Sequence, residues 1–184
     1  MASSFLILHG WENRRPETHW QHWLAEELKA IGRVVDYPQL SDPDTPSLAA
    51  WKAEFRAHYL GLPGPVTVIC HSLAVLAWLS QLAEDDPIQP DRLALVSPPS
   101  ASVIKKQRAV AEFAWNPRTT PLGANSSVLI ASDNDPYCPK GAGAEFAEHM
   151  DAEFVVVPGA GHITPSDGFG PWPQMLAWAL KDEA

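Results

Sequence analysis

Short runs of apolar residues recur along the chain at strand length: Phe5 to Leu8, Arg33 to Tyr37, Val66 to Cys70, Leu93 to Ser97, Val128 to Ala131 and Phe154 to Val157. Most are apolar on consecutive positions and do not alternate, so both faces of each strand must be covered, as in a parallel sheet. Helical patterns lie between the runs. Trp20, Trp23, Leu24, Leu28 and Ile31 share one face, and Thr18 with Gln21 three residues on reads as a capping box that starts this helix near His19. Leu48, Trp51, Phe55 and Tyr59 form a second stripe, entered through Thr45-Pro46, where proline suits the first turn. Leu73 to Leu82 is apolar nearly all round and predicts a central helix directly behind a strand; Trp172 to Leu180 predicts a closing helix. Strands alternating with helices make βαβ units with right-handed crossovers. The predicted fold class is α/β, a mainly parallel sheet of about six strands with helices on both faces, with residues 1–184 as a single domain. In such sheets the chemistry lies at the carboxyl ends of the strands.

Composition narrows the picture. At 184 residues, 46% hydrophobic and 19% charged, the chain has ordinary globular usage, and no apolar run is long enough to span a bilayer. The start, Met1 to Gly10, lacks a basic region and a small-residue cleavage site, so it reads as a first strand and not a signal peptide. The two cysteines, Cys70 and Cys138, are too few for a disulfide framework; free thiols and a cytoplasmic location are expected. A formal net charge of -9 with only 13 Lys and Arg argues against a nucleic-acid partner. The one basic cluster, Lys105-Lys106-Gln107-Arg108, reads as a solvated helix face.

Three strand ends carry candidate chemistry. The run Val66 to Cys70 passes through His71-Ser72-Leu73-Ala74 into the central helix, a strand, sharp turn and helix with serine at the apex, as in the G-x-S-x-G nucleophile elbow. Cys70 and Ala74 stand where that pattern has glycine, and cysteine adds a side chain where little room is expected. The bland reading of Ser72 is a helix N-cap. Val128 to Ala131 is followed by Ser132-Asp133-Asn134-Asp135-Pro136, in which Asp135 or Asp133 could orient an imidazole; Asp135, deeper in the loop and locked by proline, is preferred, against an Asx-turn for either. After the last strand, Gly159-Ala160-Gly161-His162 gives a loop free to lay a histidine over the sheet edge, where it can act as base. His58 and His149 fall in helical patterns and read as roleless. His19 and His22, spaced i, i+3, lack further ligands and read as a solvated helix face, so no metal is expected. The oxyanion would be met by the N–H of Leu73 and, from the Leu8-His9-Gly10-Trp11 loop, that of Trp11, with Gly10 permitting close approach.

Taken in order, Leu8-His9-Gly10-Trp11, His19-Trp20-Gln21-His22-Trp23, His71-Ser72-Leu73, Asp135-Pro136 and Gly161-His162 resemble the retinoblastoma-binding-protein-nine-like serine hydrolases, which include the bacterial YdeN proteins. The resemblance spans nearly the whole chain. It implies a minimal α/β-hydrolase with little or no cap, a triad of Ser72, Asp135 and His162, and carboxylesterase-like activity; an Asp-Pro pair at the acid position also favours Asp135.

The function expected is therefore hydrolysis of small acyl esters through an acyl-enzyme, without metal or organic cofactor. The competing reading is a binding module on the same scaffold, suggested by the altered elbow. Trp20, Trp23, Trp51 and Trp78 fall on helical stripes and read as core. Trp11 and Trp172 are expected at the carboxyl edge of the sheet as an aromatic wall. With only a short flap possible between Pro98 and Ser127, the site should be shallow and prefer short acyl chains.

Overall fold

The computed structural model describes residues 3–114, 126–139, 141–150 and 152–181. Six strands, β1 (Ser4–Leu8), β2 (Val35–Asp36), β3 (Val66–His71), β4 (Arg92–Val96), β5 (Ser126–Ser132) and β6 (Glu153–Val157), form one sheet in the order β2-β1-β3-β4-β5-β6. Every pairing is parallel. The register sets Leu8 against Cys70, and His71 against Val96, so the loops that follow β1, β3 and β4 open on one edge.

The consecutive apolar runs have the expected cause. Along β1 and β3, Leu6, Leu8, Val66, Val68 and Cys70 face one core layer, and Phe5, Ile7 and Ile69 face the other. The first layer holds α2 (Leu48–Gly61), α3 (Leu73–Leu82) and α5 (Ala142–Met150); the second holds α1 (Trp20–Ala30) and α6 (Pro173–Leu180). Helix α3 is buried at nearly every position, as an all-round apolar helix must be. Trp20, Trp51 and Trp78 are fully buried. Trp78 stacks on Phe55 at 6.1 Å, and Trp51 meets Phe113 edge-on at 5.4 Å, contacts worth about 0.5–1.5 kcal/mol each beyond burial.

Several local expectations are corrected. The cap of α1 is His19, whose side chain accepts from the Gln21 N–H, and not Thr18; the glutamine three residues on, which suggested a capping box, instead donates to the Leu8 carbonyl. His19 is accordingly buried, not solvated. Ile31 lies beyond the helix and is 54% exposed, and Trp23 is only half-buried. Ser47 caps α2, which begins after the Thr45-Pro46 turn. Lys105 to Arg108 follow a four-residue helix, α4 (Ala101–Ile104), as turns and not as a helix face. Strand β6 is an edge, so its apolar residues stay partly exposed. Part of the flap expected between Pro98 and Ser127 lies outside the described residues; what is described folds as α4 and a 3-10 turn, Ala111–Phe113. Among the described residues no helix is long and apolar enough to cross a membrane.

Candidate active site

Strand β3 ends in a turn that no relaxed L-residue would choose. Ser72 has φ 55° and ψ -122°, a conformation costing on the order of 1–3 kcal/mol that persists only when its surroundings dictate it. They do so through the Ser72 N–H, which donates to the Val96 carbonyl at 2.9 Å, and the Ser72 carbonyl, which accepts from the Val75 N–H at 2.9 Å. Although it occupies the N-cap position of α3, Ser72 makes no side-chain cap bond, so its hydroxyl is left for other use. Cys70 does not crowd the turn: its side chain points into the α2–α3 layer and is fully buried, and burial pushes its thiol well above the usual range. Gly10 fits against the turn so closely that a Cβ there would stand 2.8 Å from Ser72 Cβ.

The loop after β6 is held from the end of β5. Gly159 N–H donates to Asp133 Oδ1 at 2.7 Å, Ala160 N–H to Ser132 Oγ at 2.9 Å and Gly161 N–H to Asn134 Oδ1 at 2.7 Å. Asp167 closes the loop from its far side, with Oδ2 accepting from the His162 and Thr164 N–H groups and from Thr164 Oγ1. Gly161, at φ 56°, is required: a Cβ would fall 2.2 Å from Asp167 Oδ1.

This ladder sets His162 between two partners. Its Nδ1 is 2.8 Å from Asp135 Oδ2, and its Nε2 is 2.8 Å from Ser72 Oγ. The Asp135 side chain is fully buried, and its Oδ1 accepts from the Tyr137 N–H at 2.8 Å. Asp135 can therefore orient the imidazole, whereas Asp133 is exposed and spent on the Gly159 N–H. Beneath lies His71, whose Nε2 is 3.0 Å from the His162 carbonyl and must donate to it. Burial, reinforced by His162 and His19, holds the His71 ring well below the usual imidazole range, so it is neutral. Among the described residues no acceptor takes the N–H of Leu73 or of Trp11. An open cleft of 340 Å³ above Ser72 is lined by Trp11, Arg14, His19, His71, His162 and Thr164, among others.

The sequence model of the serine hydrolase family matches residues 5–180. The chain belongs to that family. No sequence among the curated proteins matches this serine hydrolase. Among solved structures it is similar to the ydeN gene product of B. subtilis, with a TM-score of 0.83 at 23% identity over 96% of both chains. It is also similar to a putative yden-like hydrolase from Pectobacterium atrosepticum, with a TM-score of 0.72 at 24% identity over 95% of this chain and 87% of that one. The esterase domain of a Rhodothermus marinus protein gives 0.68 at 16% identity over 96% and 86%. At these identities the likeness is one of fold, that of the α/β-hydrolases.

In this serine hydrolase, then, Ser72, His162, Asp135, Gly10, Trp11 and Leu73 meet at one edge of the sheet, but Trp172 does not join them. Its ring is buried against Trp20, edge-on at 5.2 Å, and against Phe169, so it supports α1 and is no wall of the cleft. As the N-cap residue of α6, it is buried in the same core layer as Trp20, Leu24 and Leu28 of α1. Sequence reading passed over Asp167, Asn134 and Ser132. Thr164 and Asp167 form a legible capping box, T-P-S-D, but their hold on His162 appears only when the loop folds back.

Proposed function

We propose that this serine hydrolase cleaves carboxylic esters of small acyl groups, with Ser72 as nucleophile, His162 as general base and acid, and Asp135 as the carboxylate that orients His162. The observation that carries the reading is the continuous Asp135–His162–Ser72 hydrogen-bond chain, 2.8 Å at each link, ending on a strained serine. Asp135, accepting from Nδ1–H, leaves the Nε2 lone pair facing Ser72 Oγ. As Oγ bonds to the ester carbon, its proton passes to Nε2 and the carbonyl electron pair moves onto oxygen. The N–H groups of Leu73 and Trp11, which have no acceptor among the described residues, are the donors this reading assigns to that charge. Nε2–H then protonates the leaving alkoxide, giving the alcohol and an acyl-Ser72. Water, deprotonated by the same nitrogen, attacks the acyl carbon; the carboxylic acid leaves and the serine proton is restored. The reading calls for no metal or organic cofactor.

The open cleft, with the Trp11 ring beside polar Asn13, Arg14 and Thr164, favours short acyl groups. The decisive experiment is labelling with a fluorophosphonate. The wild-type chain should label at Ser72 and the Ser72→Ala variant should not. Failure of the folded wild type to label would favour a binding module on the hydrolase scaffold.

A further inference from the structure

A second histidine of the cleft has an unfilled proton. We propose that the Nε2–H of His19 is a recognition donor for a second oxygen of the substrate, so that esters carrying an ether, hydroxyl or carbonyl oxygen near the scissile bond are preferred to hydrocarbon esters of the same shape. This rests on the reading of Ser72 as nucleophile.

His19 lines the same cleft as Ser72 and His162 yet is only 3% exposed. Its Nδ1 accepts the Gln21 N–H at 3.2 Å and so carries no proton. Burial, with His9 and His162 adding to it, lowers the ring to about 4, so it is neutral at pH 7 and its single proton sits on Nε2. Among the described residues nothing accepts that proton. The neighbouring imidazole, His71 with ring centroids 5.3 Å apart, has its own N–H engaged by the His162 carbonyl. Other polar groups of the wall differ in kind. Arg14 is exposed and paired with Asp44, and Asn13 Oδ1 accepts from the Arg15 N–H. Although the His19 residue is nearly buried, its Nε2 is not among the fully buried polar atoms, so that N–H opens into the cleft on a ring held fixed by its packing, where a substrate oxygen can take it. Sites of this kind discriminate strongly against an analogue lacking the acceptor.

The test uses two isosteric pairs in which one methylene is exchanged for oxygen: p-nitrophenyl methoxyacetate against p-nitrophenyl butanoate on the acyl side, and 2-methoxyethyl acetate against butyl acetate on the alcohol side. kcat/KM is measured for wild type, for His19→Asn, which keeps a side-chain cap for α1, and for His19→Phe, which keeps the ring but not the donor. The oxygen-to-methylene ratio is compared between proteins, so the intrinsic reactivity of each ester cancels, as does any general loosening of the cleft. In at least one pair the ratio should fall about tenfold in both variants. Ratios unchanged within about twofold in both pairs would overturn the inference. If wild type cleaves none of the four esters, the esterase reading itself fails and this inference with it.

Discussion

Replacing Gly10 by alanine tests whether the approach of the first loop to the nucleophile turn is as close as it looks. The added Cβ would lie 2.8 Å from Ser72 Cβ and 3.3 Å from both Ser72 Oγ and the His71 carbonyl oxygen. Carbon atoms in good contact are about 3.5–4.0 Å apart, so roughly 1 Å must be recovered. The strain is purely steric, because Gly10 is not at positive φ. Neither side yields easily: Ser72 is tied by its N–H to Val96 and by its carbonyl to Val75, and the His71 carbonyl belongs to a central strand. Overpacking of this sort costs about 1–3 kcal/mol of stability. The larger effect should be kinetic, since a shift near 1 Å in the serine or in the Trp11 N–H costs about a hundredfold in rate. Hydrolysis of p-nitrophenyl acetate by Gly10→Ala should show that loss mainly in kcat, with the melting temperature lowered but the fold retained. A variant within about threefold of wild type in kcat would refute the reasoning, because a hundredfold effect requires a displacement that then cannot have occurred.

Other outcomes follow from the same geometry. Asp135→Asn should lower kcat by about ten-thousandfold, because an amide NH2 facing Nδ1 forces the wrong imidazole tautomer; Asp133→Asn should cost far less, and the reverse ranking would move the acid to Asp133. His9 and His19 are each lowered to about 4 by burial, and burial holds His71 well below the usual imidazole range too. Their unfolded forms take up protons below about 6.5 while the folded forms do not. Stability should therefore be intact above that pH and fall as pH drops toward about 4, by about 3 kcal/mol for each of the first two. A melting temperature that stays flat across that window would contradict the neutral, buried assignment. The Cys138 thiol is pushed up to about 12 and Cys70 well above the usual range, both by burial. Ellman's reagent should react with neither in the native protein and with both after unfolding. Across p-nitrophenyl esters of increasing acyl length, kcat/KM should peak at short chains; a steady rise through long chains would mean a deep acyl tunnel.

Much of this was legible in the sequence because it depends on neighbours along the chain. Consecutive apolar residues in Phe5 to Leu8 and Val66 to Cys70 can be satisfied only by a strand covered on both faces, and an all-round apolar Leu73 to Leu82 only by a buried helix. Ser72 was readable as a candidate because it stands between a strand and an all-round apolar helix, and Asp135 and His162 because each follows a strand in a turn rich in glycine, proline or small polar residues. What the sequence could not supply was which groups meet across the sheet edge. Asp133 and Asp135 are chemically alike and two residues apart; only the path of the β6 loop gives one to a glycine N–H and the other to the imidazole. His19 looked like a solvated helix residue because it and His22 lack further metal ligands, but packing against Trp20 and His71 buries it and turns it into the cleft. Trp172 looked like a pocket wall from its position beyond the histidine loop, but its ring packs edge-on against Trp20 and is a prop for it. Local pattern determines which elements form and where catalytic residue types gather; contact between residues as distant as Ser72 and His162 is decided by tertiary packing, since nothing in the spacing of a chain encodes which way a folded loop turns its side chains.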